Sequence, residues 1–283
     1  MDTKEILKKV RSIEIKTKGL SNHIFAGEYN TAFKGRGMTF SEVREYEIGD
    51  DLRTIDWNVT ARYNSPFVKV FEEEREITLM LMVDVSSSSS FGTNKRFKRE
   101  LVSEISAVLA FSAIKNNDKV GVIFFSDKIE KFISPSKGKK HILRIIKEIL
   151  TFQSTSKKTN IKKALEYFNR VTKKRSICFL LSDFFDSDFF EPVKLSAKRH
   201  DLVAVNTLDS RELEIPNVGL LSLQDSEEDN EILVDSSDRK FRRNFKNKQL
   251  SRLETLKKEL SLCGADYIQL LTQEDIISPL INF

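Results

Sequence analysis

From residue 77 to residue 271 the chain alternates continuous apolar runs with segments of helical period. The run Ile77-Thr78-Leu79-Met80-Leu81-Met82-Val83 ends in Asp84. An apolar stretch without polar alternation reads as a strand buried on both faces, the kind found in parallel sheets. Over 95–116, Phe97, Leu101, Ile105, Val108 and Leu109 recur at helical spacing. The same reading gives strands at 120–125, 177–181 and 202–207 and helices at 139–151, 160–171 and 188–199. Buried strands alternating with helices predict right-handed βαβ crossovers and an α/β fold with a doubly wound, mostly parallel sheet. Two short alternating runs, 218–223 and 231–234, flank the polar link 224–230. They predict a β-hairpin inserted at about 216–236, at the margin of the sheet. A long helix over 239–263, a last strand over 267–271 and a helical turn from Glu274 complete the pattern.

The first 76 residues have a different texture. Ile6, Leu7, Val10 and Ile13 share one helical face, which predicts a short amphipathic helix over 4–13. Gly19, Gly27, Gly35, Gly37 and Gly49 then break any sustained period, with Phe25, Tyr29, Phe33, Phe40 and Tyr46 interleaved. An irregular, β-rich subdomain follows from this, so the chain is expected to divide into 1–76 and 77–283. Arg44, Arg53 and Arg62 alternate there with Glu45, Asp50, Asp51 and Asp56 around Trp57, the single tryptophan. An ion-paired subdomain pinned by aromatic packing is the plainer account. A docking surface anchored by Arg and Trp is the functional one.

Composition narrows the class. Of 283 residues, 40% are hydrophobic and 31% charged, enough apolar material for a sizeable core. No apolar run reaches the ~18–20 residues that span a bilayer, so no direct membrane insertion is expected. The N-terminal residues lack an apolar export core, and a cytoplasmic location is the expectation. Cys178 and Cys263 form no CxxC pair, so zinc and dithiol redox motifs are missing. The net charge of +5 is mild, with basic clusters at 137–140, 173–175 and 239–248. Solvated helix faces account for these clusters, and nucleic-acid binding is the alternative.

The candidate chemistry lies where the strands end. Open α/β sheets bind ligands beyond the carboxyl ends of their strands, at a switch point in strand order. Asp84 is at such an end, Ser86 and Ser88 follow it at alternate spacing, and Asp183 closes the strand that begins at Ile177. Thr159 directly precedes a predicted helix, where its hydroxyl can face the same edge. Two carboxylates and three hydroxyls make an all-oxygen donor set, suited to a hard ion: Mg²⁺, with Mn²⁺ or Ca²⁺ as substitutes. Such an ion stays electrophilic and can take a carboxylate from outside. The plainer alternative has Asp84 and the serines capping a helix and satisfying loop amides. Other chemistries lack their parts. The second position of a DxD phosphatase motif is Ser86, and no GxSxG elbow occurs. His23, His141 and His200 are scattered, and no phosphate-binding glycine loop is present, so no bound nucleotide is expected.

The ordered set Asp84-Val85-Ser86-Ser87-Ser88, Thr159 and Asp183 resembles the metal-ion-dependent adhesion site of von Willebrand factor A domains. Two positions depart from that pattern. Lys157-Lys158 precede Thr159 where small residues are common, and Phe184 follows Asp183 where glycine is frequent. Upstream, Gly35-Arg36-Gly37-Met38-Thr39-Phe40, Arg44-Glu45-Tyr46, Gly49-Asp50-Asp51, Arg53-Thr54-Ile55-Asp56-Trp57 and Thr60-Ala61-Arg62 run into Val70-Phe71-Glu72. This signature resembles the bacterial family called domain of unknown function 58, which joins it to a von Willebrand A-like domain. The resemblance implies a non-enzymatic interaction module that binds a divalent cation and recruits an acidic group of a partner. It further implies a partnership with a MoxR-type AAA+ ATPase in chaperone or maturation work. A metal-dependent hydrolase using the same five residues is the other reading of the site.

Overall fold

The computed structural model describes residues 39–63, 65–72, 77–93, 97–224, 231–276 and 279–280. The helix expected over 4–13 and part of the turn expected from Glu274 lie outside them. The described residues fall into two compact units, one within 28–76 and the other from Ile77 onward.

In the smaller unit, β1 (Thr39–Glu45) pairs antiparallel with β2 (Phe67–Glu72), and α1 (Trp57–Tyr63) lies between them in sequence. Asp56 starts α1 because its carboxylate accepts the Asn58 and Val59 amides at 3.0 and 3.3 Å. Arg44 grips Asp50 through both guanidinium nitrogens at 2.8 and 2.6 Å, and Asp50 also accepts the Glu47 amide at 2.9 Å. That fork-to-carboxylate geometry fixes the turn after β1, as an ion-paired subdomain requires. Trp57 is 70% exposed, and the aromatic contact among the described residues of this unit is instead between Tyr63 and Phe67, ring centroids 5.5 Å apart.

The larger unit is a six-stranded sheet with helices around it. In chain order its elements begin β3 (Thr78–Asp84), α2 (Lys98–Lys115), β4 (Lys119–Phe125) and β5 (Ile129–Ser136). Then come α3 (Lys139–Thr151), α4 (Ile161–Val171), β6 (Ile177–Ser182), α5 (Phe190–Arg199) and β7 (Asp201–Leu208). The short α6 (Ser210–Leu213), the hairpin strands β8 (Leu220–Gln224) and β9 (Glu231–Asp235), α7 (Arg239–Leu262) and β10 (Asp266–Leu271) complete it. The spatial order is β10-β7-β6-β3-β4-β5, parallel throughout except for β5, which runs antiparallel to β4. Leu79 to Val83 are at most 2% exposed, the burial on both faces that their unbroken apolar run implies.

This order positions the site. From β3 the chain builds outward through β4 and β5, then returns to lay β6 on the opposite side of β3. The connections leaving β3 and β6 therefore diverge, and a crevice opens at their carboxyl ends.

Two elements differ from expectation. The hairpin of β8 and β9 is a separate two-stranded sheet and is not joined to the sheet margin. The place beside β7 is taken by β10, paired from Asp266 with Val203 to Leu271 with Leu208. The strand β5 has no counterpart in the apolar pattern. It carries Glu130, Lys131 and Pro135 and lies at the sheet edge, where proline costs no ladder bond. Its Pro135 ring fills the space that a side chain at Gly121 would need. A Cβ there would lie 2.8 Å from Met80 Sδ and 2.9 Å from Pro135 Cγ. Gly121→Ala is therefore expected to lower stability by about 1–3 kcal/mol, read as a lower urea midpoint with an unchanged m-value. An unshifted midpoint would show that the proline ring yields freely.

Candidate metal centre

Asp84 is the last residue of β3 and is 5% exposed. Its carboxylate accepts the Ser86 amide at 3.0 Å and the Ser182 hydroxyl at 2.7 Å. Ser86 is fully buried, with its hydroxyl 3.0 Å from that of Ser88. A 3-10 turn over Ser87–Ser90 presents these hydroxyls, closed by Ser89 Oγ donating to the Ser86 carbonyl at 2.7 Å. Asp183 follows β6 directly, and its carboxylate accepts a hydrogen bond from the Ser88 hydroxyl. Asp84, Ser86, Ser88 and Asp183 thus meet in one cluster. Of the plainer alternative, the loop-amide half is present, because Asp84 accepts the Ser86 amide, while α2 has Phe97 at its N-cap position and no side-chain cap.

Thr159 is half-buried, one residue before Asn160, whose side chain caps α4 by accepting the Lys163 amide at 2.8 Å. Its loop is fastened on both sides. The Lys157 carbonyl accepts from the Ser87 amide and hydroxyl at 3.2 and 3.0 Å, and the Ile161 amide donates to Asp186 at 2.7 Å. Glu130 holds the loop from below, accepting the hydroxyls of Ser126, Ser154 and Thr155 at 2.8 to 3.0 Å. Thr159 therefore lies on a braced loop tied to both the serine turn and the segment after Asp183.

Phe184 adopts the left-handed backbone at φ 54°, which explains why glycine is frequent there. The strain is offset by what surrounds it. The Phe184 amide donates to Ser182 Oγ at 3.1 Å, and the ring is buried against Phe189. From α7, Arg252 donates to the carbonyls of Asp183 and Phe184 at 3.1 and 2.8 Å and lies 3.4 Å over the Phe185 ring. A cleft of about 270 Å³ opens beside this clamp, lined by Phe184, Phe189, Phe190, Arg252 and Leu256.

Sequence reasoning missed the cation already inside the cluster. Lys98 is 1% exposed, and its ammonium donates to Asp183 at 2.8 Å and to Glu212 at 2.7 Å. A signal for it exists: Lys98 precedes Leu101 and Val102 by one turn, on the apolar face of its helix. Glu212 has a legible signal too, the Asp209-Ser210-Arg211-Glu212 capping box that starts α6. Asp209, fully buried, accepts from Thr93 and Thr272 hydroxyls at 2.6 and 2.7 Å and joins the loop after β3 to the ends of β7 and β10.

The charges sort accordingly. Burial, and then the charge of Asp183, push the Asp84 carboxyl up to about 7. Burial pushes Asp183 in the same direction, but the Lys98 charge and hydrogen bond outweigh it and hold Asp183 below the usual carboxylate range. Burial disfavours the Lys98 ammonium, and the charges of Asp183 and Glu212 reverse that and raise its pKa. Burial raises Glu212. Three carboxylates face the Lys98 ammonium here, and the Arg252 guanidinium also acts on Asp183 and Glu212. A void of about 10 Å³ between Asp84, Ser88, Lys98 and Asp183 is close to the space of one water-sized sphere. The oxygen donors and the uncompensated Asp84 charge fit a hard ion. Among the described residues no group of three or more His, Cys, Asp or Glu side chains is placed to hold a metal ion.

The model of the family described as "Protein of unknown function DUF58" matches residues 42–254. An uncharacterized protein of Mycobacterium bovis, Mb1516, is 26% identical over 286 residues, covering all of this chain and 90% of its own length. The crystal structure of an aerotolerance-related membrane protein from Bacteroides fragilis superimposes with a TM-score of 0.50 at 17% identity. That match covers 73% of this chain and 98% of the other. Among the described residues here, no helix is long and apolar enough to cross a membrane.

Proposed function

The chain belongs to the DUF58 family, with a von Willebrand factor A-like unit, and from that premise we propose that it is a non-enzymatic protein-interaction module. In this reading Asp84, Ser86, Ser88 and Thr159 hold a divalent cation, Mg²⁺ in the first instance, with Asp183 at its margin. When bound, the cation supplies an oxygen-seeking position for the carboxylate of a partner's Asp or Glu. The observation that carries the reading is Asp84: a buried carboxylate at a strand end, bonded by neutral donors alone, beside converging hydroxyls. Ser182 and the Ser86 amide orient it, and Glu130 and Asp186 brace the Thr159 loop.

Two of the three histidines are engaged with groups outside the Asp84 cluster. His141 Nε2 lies 2.8 Å from the Val120 carbonyl. His200 is buried against Phe168, and burial lowers its pKa to about 4, so it stays neutral. Neither is placed as a base for the Asp84 cluster. In two of the basic clusters one residue is ion-paired within the chain: Arg175 with Asp201 and Lys246 with Glu214, each at 2.8 Å.

The partner we propose is a MoxR-type AAA+ ATPase or a client protein, met in the cytoplasm. With the purified ATPase of the same organism, binding measured by biolayer interferometry is expected in Mg²⁺ and is lost in EDTA and in Asp84→Asn. Equal binding under all three conditions would sink the cation-bridged reading.

A further inference from the structure

We propose that Lys98 is a positioning residue that withholds Asp183 from the cation, so that the ion is held firmly only when a partner's carboxylate replaces it. The inference rests on the cation site proposed above and deepens it.

The geometry carries it. A lysine in the first turn of a helix faces the positive end of the helix dipole, and a buried ammonium is costly without partners. Lys98 has two. Its ammonium reaches Asp183 Oδ2 at 2.8 Å and Glu212 Oε1 at 2.7 Å. Neither end of this bridge is loose. The Lys98 amide donates to the Phe91 carbonyl at 2.9 Å. Glu212 is locked by its other oxygen, which accepts the Asp209 amide at 2.8 Å. Asp183 Oδ1 accepts the Phe185 amide at 3.3 Å, so both oxygens of Asp183 are engaged, one of them by a full charge. The donors on Asp84 are neutral. A cation entering the cluster can therefore displace a hydroxyl or amide from Asp84 at modest cost. Taking Asp183 means breaking one of the two buried ion pairs of Lys98 and leaving its ammonium with Glu212 alone, a larger cost. The site keeps one anionic ligand in hand and lacks a second, which the acidic group of a partner supplies. Ion and partner then bind cooperatively.

The test is a titration of full-length protein with Mn²⁺, followed by the electron paramagnetic resonance signal of the free ion. The informative variant is Lys98→Met with Glu212→Gln, which removes one charge of each sign and keeps the net charge of the cluster. Mn²⁺ is expected to bind this variant about tenfold tighter or more than wild type, because Asp183 becomes free to ligate. Adding Asp84→Asn is expected to abolish binding in both backgrounds. Acetate, standing for the partner's carboxylate, is expected to tighten Mn²⁺ on the wild type by a larger factor than on the variant. If the methionine variant fails to fold, Lys98→Gln with Glu212→Gln replaces it. A folded variant with equal or weaker affinity, or an equal acetate effect in both proteins, overturns the role of Lys98. Should wild type bind Mn²⁺ through Asp84 in that case, the cation site itself stands. If neither protein binds Mn²⁺, both ideas fall.

Discussion

Replacing Lys98 alone by methionine is expected to cost about 3–5 kcal/mol of folding stability, the range for removing one partner of a buried ion pair. The side chain is 1% exposed, and its two acceptors are 3% and 17% exposed. Methionine matches the aliphatic stem, so packing is largely kept and the loss is electrostatic. Asp183 and Glu212 would be left with no ammonium, next to the already strained Asp84. Guanidinium denaturation checks this. Part of the loss is expected to return when Glu212→Gln is added, since that removes one of the stranded charges. A methionine variant within 1 kcal/mol of wild type would mean that the triad carries little of the stability of the sheet edge.

Asp84→Asn is expected to act in the opposite direction. The folded carboxyl has a pKa of about 7, well above the unfolded value near 3.8. Below about pH 3.8 the group is protonated in both states and costs nothing. As pH rises toward 7 the unfolded chain loses the proton while the folded chain keeps it, so stability falls. Above 7 the full penalty is present, on the order of 4 kcal/mol for a three-unit difference. Asparagine removes this penalty and keeps an acceptor for the Ser86 amide. At pH 8 without divalent ion, the variant is expected to melt higher than wild type. Adding Mg²⁺ is expected to raise the wild-type melting temperature and leave the variant unmoved, since only the wild type gains a ligand. Equal Mg²⁺ responses would count against Asp84 as a ligand. A site stabilised by deleting its own carboxylate is one kept for function at the expense of stability.

Much of the fold is legible in the sequence because the sheet is buried. The β3, β6 and β7 runs are apolar on both faces, so their pattern owes nothing to neighbours. Where tertiary context decides, the pattern is silent. The charged, proline-containing β5 exists because β4 offers it an edge, and α6 is a single capped turn too short for periodicity. The hairpin is legible as a hairpin, but its separation from the sheet depends on β10, more than thirty residues later. In the site, the DxSxS spacing and the aspartate after β6 are local and visible. The meeting of Lys98 with Asp183 and Glu212 joins three segments across the switch in strand order. Ser182, which orients Asp84, reads in the sequence as the unremarked end of an apolar strand.

The edge formed by β5 has a further meaning for the life of the protein in a crowded solution. An unpaired strand edge invites sheets to extend from one molecule into the next. Here the outer strand contains Pro135, lacks a donor at that residue, and carries register shifts against β4 at two places. A second molecule meeting this edge finds an interrupted ladder, which disfavours growth of a continuous intermolecular sheet from that side. Gly121, which makes room for the proline ring, thereby also serves colloidal stability.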